Sequence, residues 1–587
     1  MSQGLPDVEL DRLLAAGRIE QFDRYWVRLL GRLDPDASAR VLLCAAMARR
    51  AVDDGHVCLD LAAPAAFDDL PAWPPLDELL AELARSPLVG DGAGPTPLVL
   101  AGTRLYLHRY WRDEQELASF IRQRAARAME GIDQDRLAAC LAAVFAGSTV
   151  TEEQRQACAA VFARRLGAIT GGPGTGKTTV VAGLLALIAL YAMESGGPPP
   201  RMLLLAPTGK AAARLSEAMQ RQKGGLPMAP EVLACLPDQA MTIHRALGYQ
   251  PRNPNEFRHH AGNPLPHQVV VVDEASMVDV TLMTRLFAAV SPEARLVLLG
   301  DRDQLASVEA GSILADICEA AGEEDAPAGL AAGVVMLRTS FRFGDSAISR
   351  LAGAVNRGEV EEAARLCAAG EEGIALLPPL AGNDHEHPLA RLLIDGYRDL
   401  LGATTPGEAL ELLERFRVLV ALRRGPLGVE AMNRRIEAVL AREGLIAPSG
   451  GWYQGRPILV RENSYRLRLF NGDTGVLWPE SGSGEPRAFF FGEDRETVRA
   501  FAPSQLPAHE TAFAMTIHQS QGSEFDEVVL MLPPADSPLL GRELLYTGIT
   551  RARRRVTLIG REEEIAAAIN RRATRASGLR TLLAGSG

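Results

Sequence analysis

Lysine is almost missing from this chain. Of its 62 lysine and arginine residues only Lys177, Lys210 and Lys223 are lysines, so each stands where arginine is not used. Cysteine is scarce as well. Cys44, Cys58, Cys140, Cys158, Cys235, Cys318 and Cys367 lie far apart with no C-x-x-C pair. That spacing argues against a zinc or iron–sulfur site and against a disulfide framework, and it predicts a cytoplasmic location. The opening MSQGLPDVEL lacks a basic stretch followed by an apolar core, which predicts no secretory signal. Net positive charge is also lacking: at −11 the composition gives no hint of a nucleic-acid partner. It does not exclude one, because a protein that grips a strand in a single groove can be acidic elsewhere. With 587 residues, 47% hydrophobic and 23% charged, the chain has room for several globular domains.

One of the three lysines closes the run Gly171, Gly172, Pro173, Gly174, Thr175, Gly176, Lys177, Thr178, Thr179. It fits G-x-x-x-x-G-K-[ST], the phosphate-binding loop. Glycines let the backbone curl so that N–H groups face an anion, and the helix that begins there adds its positive end. A compact ammonium reaches β- and γ-phosphates inside that ring, where a planar guanidinium would not fit. Thr178 supplies a hydroxyl for Mg²⁺. The flanks supply the strand–loop–helix context: Leu166–Thr170 is a short apolar run, and Val180–Met193 is an apolar helical stretch, too short and too closely tied to the loop for a membrane span.

Residues 1 to about 130 read as a helical domain with caps and short loops, including an aromatic group from Leu105 to Trp111 and an amphipathic run from Glu116 to Met129; docking or scaffolding is the expected role. From about 145 to 335 the runs Met202–Ala206, Val269–Val272 and Leu296–Leu299 alternate with helical patterns, which predicts parallel βαβ units with a surface insertion at about 249–268. From about 336 to 587 a second α/β domain is predicted, with strands at Val418–Leu422, Val528–Leu532 and Val556–Ile559. Within it, residues about 440–505 suggest a small β insert with a turn at Asn471-Gly472-Asp473.

Val269–Val272 ends in Asp273 and Glu274. Following a phosphate loop by about a hundred residues, these acids read as a Mg²⁺ ligand shared with Thr178 and as the group that orients and deprotonates attacking water. A second strand ends in Gly300-Asp301-Arg302-Asp303-Gln304-Leu305, where Gln304 can sense a γ-phosphate.

These stretches, with Ala206-Pro207-Thr208-Gly209-Lys210 and the residues to Leu215, resemble superfamily 1 helicases of the RecD group, from about Thr151 to Arg555. The resemblance implies two RecA-like P-loop motor domains, an SH3-like insert in the second, ATP and Mg²⁺ as cofactors, and 5′ to 3′ movement on single-stranded DNA. It also implies RecB-like and RecC-like partners in a nuclease that acts on duplex DNA ends, with no membrane. Gln154 falls in a segment similar to the adenine-reading motif, and Arg342 and Arg551 fall in motifs that supply arginines to the γ-phosphate. Two arginines on a second domain act only when the domains close, which couples hydrolysis to closure. Thr208, Lys210, Thr242 and His244 on one domain, and Thr516 and His518 in the near-copy on the other, are expected to hold strand phosphates without reading sequence. The insert guides the strand or is a structural addition. A stand-alone helicase, or a scaffolding subunit with a vestigial ATPase, are the alternative readings; the intact Lys177, Thr178, Asp273, Glu274, Gln304, Arg342 and Arg551 speak against the second.

Overall fold

In the computed structural model the described residues are 5–17, 19–63, 74–250, 256–339, 346–380, 387–447, 451–464, 466–480, 482–492 and 497–585. Two parallel sheets dominate them. The first has six strands in the order Val334–Leu337, Leu166–Gly171, Arg295–Gly300, Val269–Val272, Met202–Ala206 and Ala240–Thr242. Every neighbouring pair is parallel. The second has five strands, again all parallel: Ile374–Leu377, Ala552–Ile559, Phe525–Met531, Phe416–Val420 and Ala514–Thr516. Strands covered on both faces read as unbroken apolar runs, and Val269–Val272 and Phe416–Val420 are buried along their whole length.

The helix Lys177–Glu194 is long and apolar enough to cross a membrane by composition alone. Val180 to Ala189 are instead buried on every side inside the first domain. Helices Gln134–Val144, Glu152–Phe162 and Gly209–Gly225 pack around it, so its apolar character follows from a central position.

Between strands Phe416–Val420 and Ala514–Thr516, the second and third of the second sheet in chain order, lies an antiparallel five-stranded sheet: Pro457–Val460, Thr474–Pro479, Pro486–Phe491, Val498–Phe501 and His509–Thr511. It starts later and ends later than the range of about 440–505 expected for the insert, because residues up to Arg442 continue the helix Val429–Arg442.

The N-terminal part carries helices Leu5–Ala15, Gln21–Leu33, Ala39–Asp53 and Leu76–Arg85, and also a four-stranded sheet absent from the sequence reading. Its strands, Leu59–Asp60, Val89–Gly90, Leu98–Ala101 and Arg104–Leu107, are two to four residues long, too short for a period-2 pattern to register. The following helix spans His108–Ala125 rather than Glu116 to Met129. It packs on helix Val280–Ala289 of the first motor domain. There the buried Asp113 accepts from Thr281 Oγ1 at 2.8 Å, and the buried Arg124 donates to the carbonyls of Val290 and Ser291. All seven cysteines are unpaired.

Candidate functional site

The glycine-rich loop joins strand Leu166–Gly171 to helix Lys177–Glu194. Gly174 and Gly176 take φ of +78° and +80°, the left-handed region that favours glycine. Space is short as well: a Cβ on Gly176 would lie 2.3 Å from Gln154 Nε2. Lys177 Nζ donates to the carbonyls of Gly171 at 2.6 Å and Gly172 at 3.0 Å, so the ammonium is folded back into its own loop.

Gln154, expected at an adenine edge, is buried, and its amide is engaged by protein at both ends. Nε2 donates to the Thr175 carbonyl at 2.9 Å, and Oε1 accepts from Thr151 N–H at 3.1 Å, closing a capping box on helix Glu152–Phe162. In this state it braces the loop from behind.

Asp273 and Glu274 follow the strand Val269–Val272. Glu274 sits at φ +51°, one of two described non-glycine residues with positive φ. Such backbone costs about 1–3 kcal/mol and collects at functional positions. Removal from water and the like charge of Glu274 raise the Asp273 carboxyl, while the Glu274 N–H and Lys177 oppose the rise. Asp301, fully buried, is pushed up to about 6, first by burial. Gln304 is 6% exposed, and its Oε1 has no hydrogen-bond partner. Raised acids beside one lysine and an orphaned buried amide oxygen fit a phosphate-bearing ligand with a divalent cation.

The second domain closes over this site. Tyr546 Oη donates to Asp301 Oδ2 at 2.9 Å, and a Cβ on Gly172 would lie 2.9 Å from the same hydroxyl. Thr547 Oγ1 accepts from Leu305 N–H at 2.9 Å, Gln521 Nε2 donates to the Leu305 carbonyl at 2.7 Å, and Asn356 Nδ2 donates to Asp303 Oδ2 at 2.9 Å. The loop Asp301–Leu305 is therefore held by three segments of the opposite domain. Asp301 lies in the stretch that carries Gln304, and Gln521 and Tyr546 lie within five residues of His518 and Arg551, yet nothing marked them; Asn356 had no signal at all. Arg551 is buried, donating to the carbonyls of Thr547 at 3.2 Å and Ser523 at 3.1 Å. Arg342 lies outside the described residues.

The strand-gripping candidates sit at matching places. Ala240–Thr242 and Ala514–Thr516, both reading Ala-Met-Thr and both followed by Ile-His, are the edge strands of their sheets. Thr242 Oγ1 accepts from Arg245 N–H and caps helix Ile243–Leu247; Thr516 Oγ1 accepts from Gln519 N–H and donates to Gln519 Oε1. Thr208 caps helix Gly209–Gly225 through Ala211 N–H. His244 packs edge-on to Tyr249, with ring centroids 5.8 Å apart, and beside Phe257 of the surface insertion; burial lowers its pKa. Burial lowers His518 too, with Arg575 adding to the effect. Lys210 is half-buried and pushed down to about 7, first by burial, then by Arg214, with Glu414 and Asp473 opposing. The segment from Arg423 to Gly428 follows strand Phe416–Val420 as Lys210 follows Met202–Ala206, so Arg423 and Arg424 hold the second sheet's counterpart position. A Cβ on Gly522 would rest 3.6 Å from Ala211 Cβ, which puts the two grips side by side across the seam.

Comparison with known proteins gives three family matches. They are the N-terminal domain of RecBCD enzyme subunit RecD over residues 15–106, an AAA domain over 154–310, and a UvrD-like helicase C-terminal domain over 511–559. The chain is 45% identical over 562 residues to the RecBCD enzyme subunit RecD of Mycolicibacterium smegmatis, covering 94% of this chain and 95% of that protein. It is 32% identical over 535 residues to the Haemophilus influenzae protein of the same name, covering 83% and 81%. To the ATP-dependent RecD2 DNA helicase of Deinococcus radiodurans it is 31% identical over 477 residues, covering 80% of this chain and 57% of that one.

Proposed function

This chain belongs to the family of the RecBCD enzyme subunit RecD, and from that premise we infer that it is the ATP-driven DNA helicase subunit of a RecBCD-type helicase-nuclease, acting in DNA end processing and recombinational repair. The observation that carries the reading is the seam itself. Gly172 of the phosphate loop and Asp301 and Leu305 of the first motor domain meet Tyr546 and Thr547 of the second, with Arg551 bonded to the Thr547 carbonyl, so one ligand in that loop can touch both domains.

We assign the following roles. ATP enters the glycine loop, and Lys177 exchanges the carbonyls of Gly171 and Gly172 for phosphate oxygens. Thr178 and Asp273 would hold Mg²⁺, which supplies charge neutralisation on the phosphates when bound. Glu274, held in its left-handed backbone, orients the attacking water and takes its proton. Gln304 would donate from Nε2 to the γ-phosphate, leaving its unpaired Oε1 to accept from the attacking water. Arg551 leaves the carbonyls of Thr547 and Ser523 as the domains close and, with Arg342, stabilises the transferring charge.

Between the sheets the strand runs past Thr208, Lys210, Thr242 and His244 on one domain and Thr516 and His518 on the other. Alternating closure then moves the two grips along the strand, with 5′ to 3′ polarity taken from the family resemblance. RecB-like and RecC-like subunits complete the assembly and carry the nuclease site. The match over residues 15–106 supports the subunit reading over a stand-alone helicase.

ATP hydrolysis by the purified chain with and without single-stranded DNA, followed by unwinding of duplexes with a 5′ or a 3′ tail, tests this. Stimulation with unwinding from the 5′ tail alone is expected. A chain that neither hydrolyses ATP alone nor does so with its partner subunits would be a scaffold.

A further inference from the structure

After helix Glu562–Asn570 the chain leaves the second motor domain and runs back across the molecule as residues 571–583, ending in the short helix Leu579–Leu583. That helix packs on His108–Ala125 and on Ile313–Ala321, elements of the N-terminal part and the first motor domain. Midway along, Arg575 meets the segment that follows Gln304. Its guanidinium donates to the carbonyls of Ser307, Glu309 and Gly311, the last two at 2.7 Å and 3.0 Å. The buried Ser307 hydroxyl points at the same Glu309 and Gly311 carbonyls. The stretch 307–311 is thus curled into a bowl of carbonyl oxygens with one cation at its centre. Among the described residues no other side chain bonds all three inward carbonyls, which takes the several donors of a guanidinium.

The opposite side of Arg575 lies on the N-terminal part. A Cβ on Gly55 would be 2.7 Å from the guanidinium carbon. Val57 N–H donates to the Ala576 carbonyl at 2.8 Å, and Ala576 N–H donates to His56 Nδ1 at 2.9 Å. Gly311 N–H donates to the Gly55 carbonyl at 3.0 Å. The turn 55–57, the bowl and residues 571–583, which form a strap across the molecule, thus meet at one point, the turn bonding both of the others.

We propose that Arg575 is a positioning residue for hydrolysis: it fixes the bowl 307–311, and through it Gln304, while the strap around it ties that loop to the N-terminal domain. The inference rests on the role of Gln304 given above. Gln304 is three residues from the bowl; within its own domain the loop Asp301–Leu305 is tied by Arg302 N–H to Thr170 Oγ1 at 3.1 Å, ahead of Gln304, and its bonds after that point run to the opposite motor domain. With the bowl fixed, the loop has a rigid edge against which closure of the second domain can set the amide. Without it, the loop is anchored in its own domain only ahead of Gln304, at Arg302, and beyond Gln304 the amide is placed only as well as the seam happens to be closed. Anything that shifts the N-terminal domain, such as a subunit docked there, is then felt at the γ-phosphate.

The test is steady-state hydrolysis by the full-length chain in the presence of single-stranded DNA. Arg575→Ala is expected to lower kcat about tenfold with KM for ATP held within about twofold, the pattern of a displaced group rather than lost nucleotide binding. Arg575→Lys, whose ammonium can bond the same three carbonyls, is expected to restore most of that loss. Arg572→Ala, which removes only an exposed pair with Glu319 and Glu543 on the same strap, is expected to match the wild type. If Arg575→Ala does not fold, His56→Ala loosens the tie to the N-terminal turn with Arg575 in place, removing its one side-chain bond and leaving the backbone bonds of Val57 and Gly311, and a kcat two- to threefold lower, roughly, at constant KM is expected. Unchanged kcat in Arg575→Ala, or in His56→Ala where that variant decides, overturns the inference, as does a loss that Arg575→Lys fails to recover. A wild-type chain without strand-stimulated hydrolysis both alone and with its partner subunits overturns the reading beneath it, and the inference with it.

Discussion

Tyr546 carries its hydroxyl across the seam to a carboxylate that burial would otherwise leave uncompensated. Asp301 has that phenol, the Asp303 N–H and the charge of Lys177 to oppose its desolvation. Tyr546→Phe removes a donor to a buried acid, a loss of about 1–3 kcal/mol. The expected result is a lower strand-stimulated turnover and a lower melting temperature, measured on the same preparation. Lys177→Gln asks a different question. It is expected to reduce hydrolysis by on the order of 100-fold or more while strand binding, followed by fluorescence anisotropy, stays close to wild type. Retained ATPase activity would sink the site assignment. Lys177 was legible because its motif is local: loop, strand and helix follow one another within thirty residues. Tyr546 and Asp301 were not, since their contact spans 245 positions and neither residue type is unusual where it stands. Gln154 shows a further limit, because one glutamine can face a base or brace a loop, and only the geometry distinguishes the two.

At the level of elements, the near-copies Thr242-Ile243-His244 and Thr516-Ile517-His518 pointed to matching places on two domains, and the structure adds that each follows from the edge strand of its sheet. Lys210 stands beside the first of them, at the start of helix Gly209–Gly225, and the insert reaches it: a Cβ on Gly209 would lie 3.2 Å from the Phe470 ring, and the charge of Asp473 acts on the ammonium. With its pKa lowered to about 7, Lys210 is cationic below that pH and increasingly neutral above it. A strand phosphate favours the charged form, so binding is expected to take up a proton at pH above about 7. Affinity for single-stranded DNA, measured at constant salt, should therefore weaken from pH 7 toward pH 9, and Lys210→Met should remove that slope. A slope unchanged in the variant would place the proton elsewhere. The short N-terminal strands escaped notice for the opposite reason. Two to four residues carry no periodicity, and their pairing is decided by the helices they lie on.

The whole molecule is held together where the strap crosses it, and one proton is part of the joint. Ser577 Oγ lies 2.8 Å from Glu114 Oε1 and 3.0 Å from Asp316 Oδ2, and it already accepts from Leu579 N–H. A hydroxyl has one hydrogen to give. Burial raises the Glu114 carboxyl as well, but it also accepts from Gly578 N–H and from Tyr106 Oη, bonds that favour its ionised form and that Asp316 lacks. The shared proton is therefore assigned to Asp316, which donates it to Ser577. Burial raises Asp316 to about 7, Glu114 and Glu319 push the same way, and Ser577 and Arg580 oppose them. An unfolded aspartate titrates near 3.8, so between about 4 and 7 the folded chain holds a proton that the unfolded chain has released. The stabilisation is complete below that window and is lost as pH rises through about 7. Melting temperature is expected to fall across that range, corresponding to a contribution on the order of 1–4 kcal/mol, and Asp316→Asn, which donates without titrating, should flatten the fall. The amide must keep its donor toward Ser577 for this to hold. Asp316→Ala, which supplies none, should instead lower the melting temperature at every pH. A pH profile identical in wild type and Asp316→Asn would move the buried proton to another group. None of this was legible beforehand, because the strap reads as an arginine-rich tail and its partners lie 261 and 463 positions away in the chain.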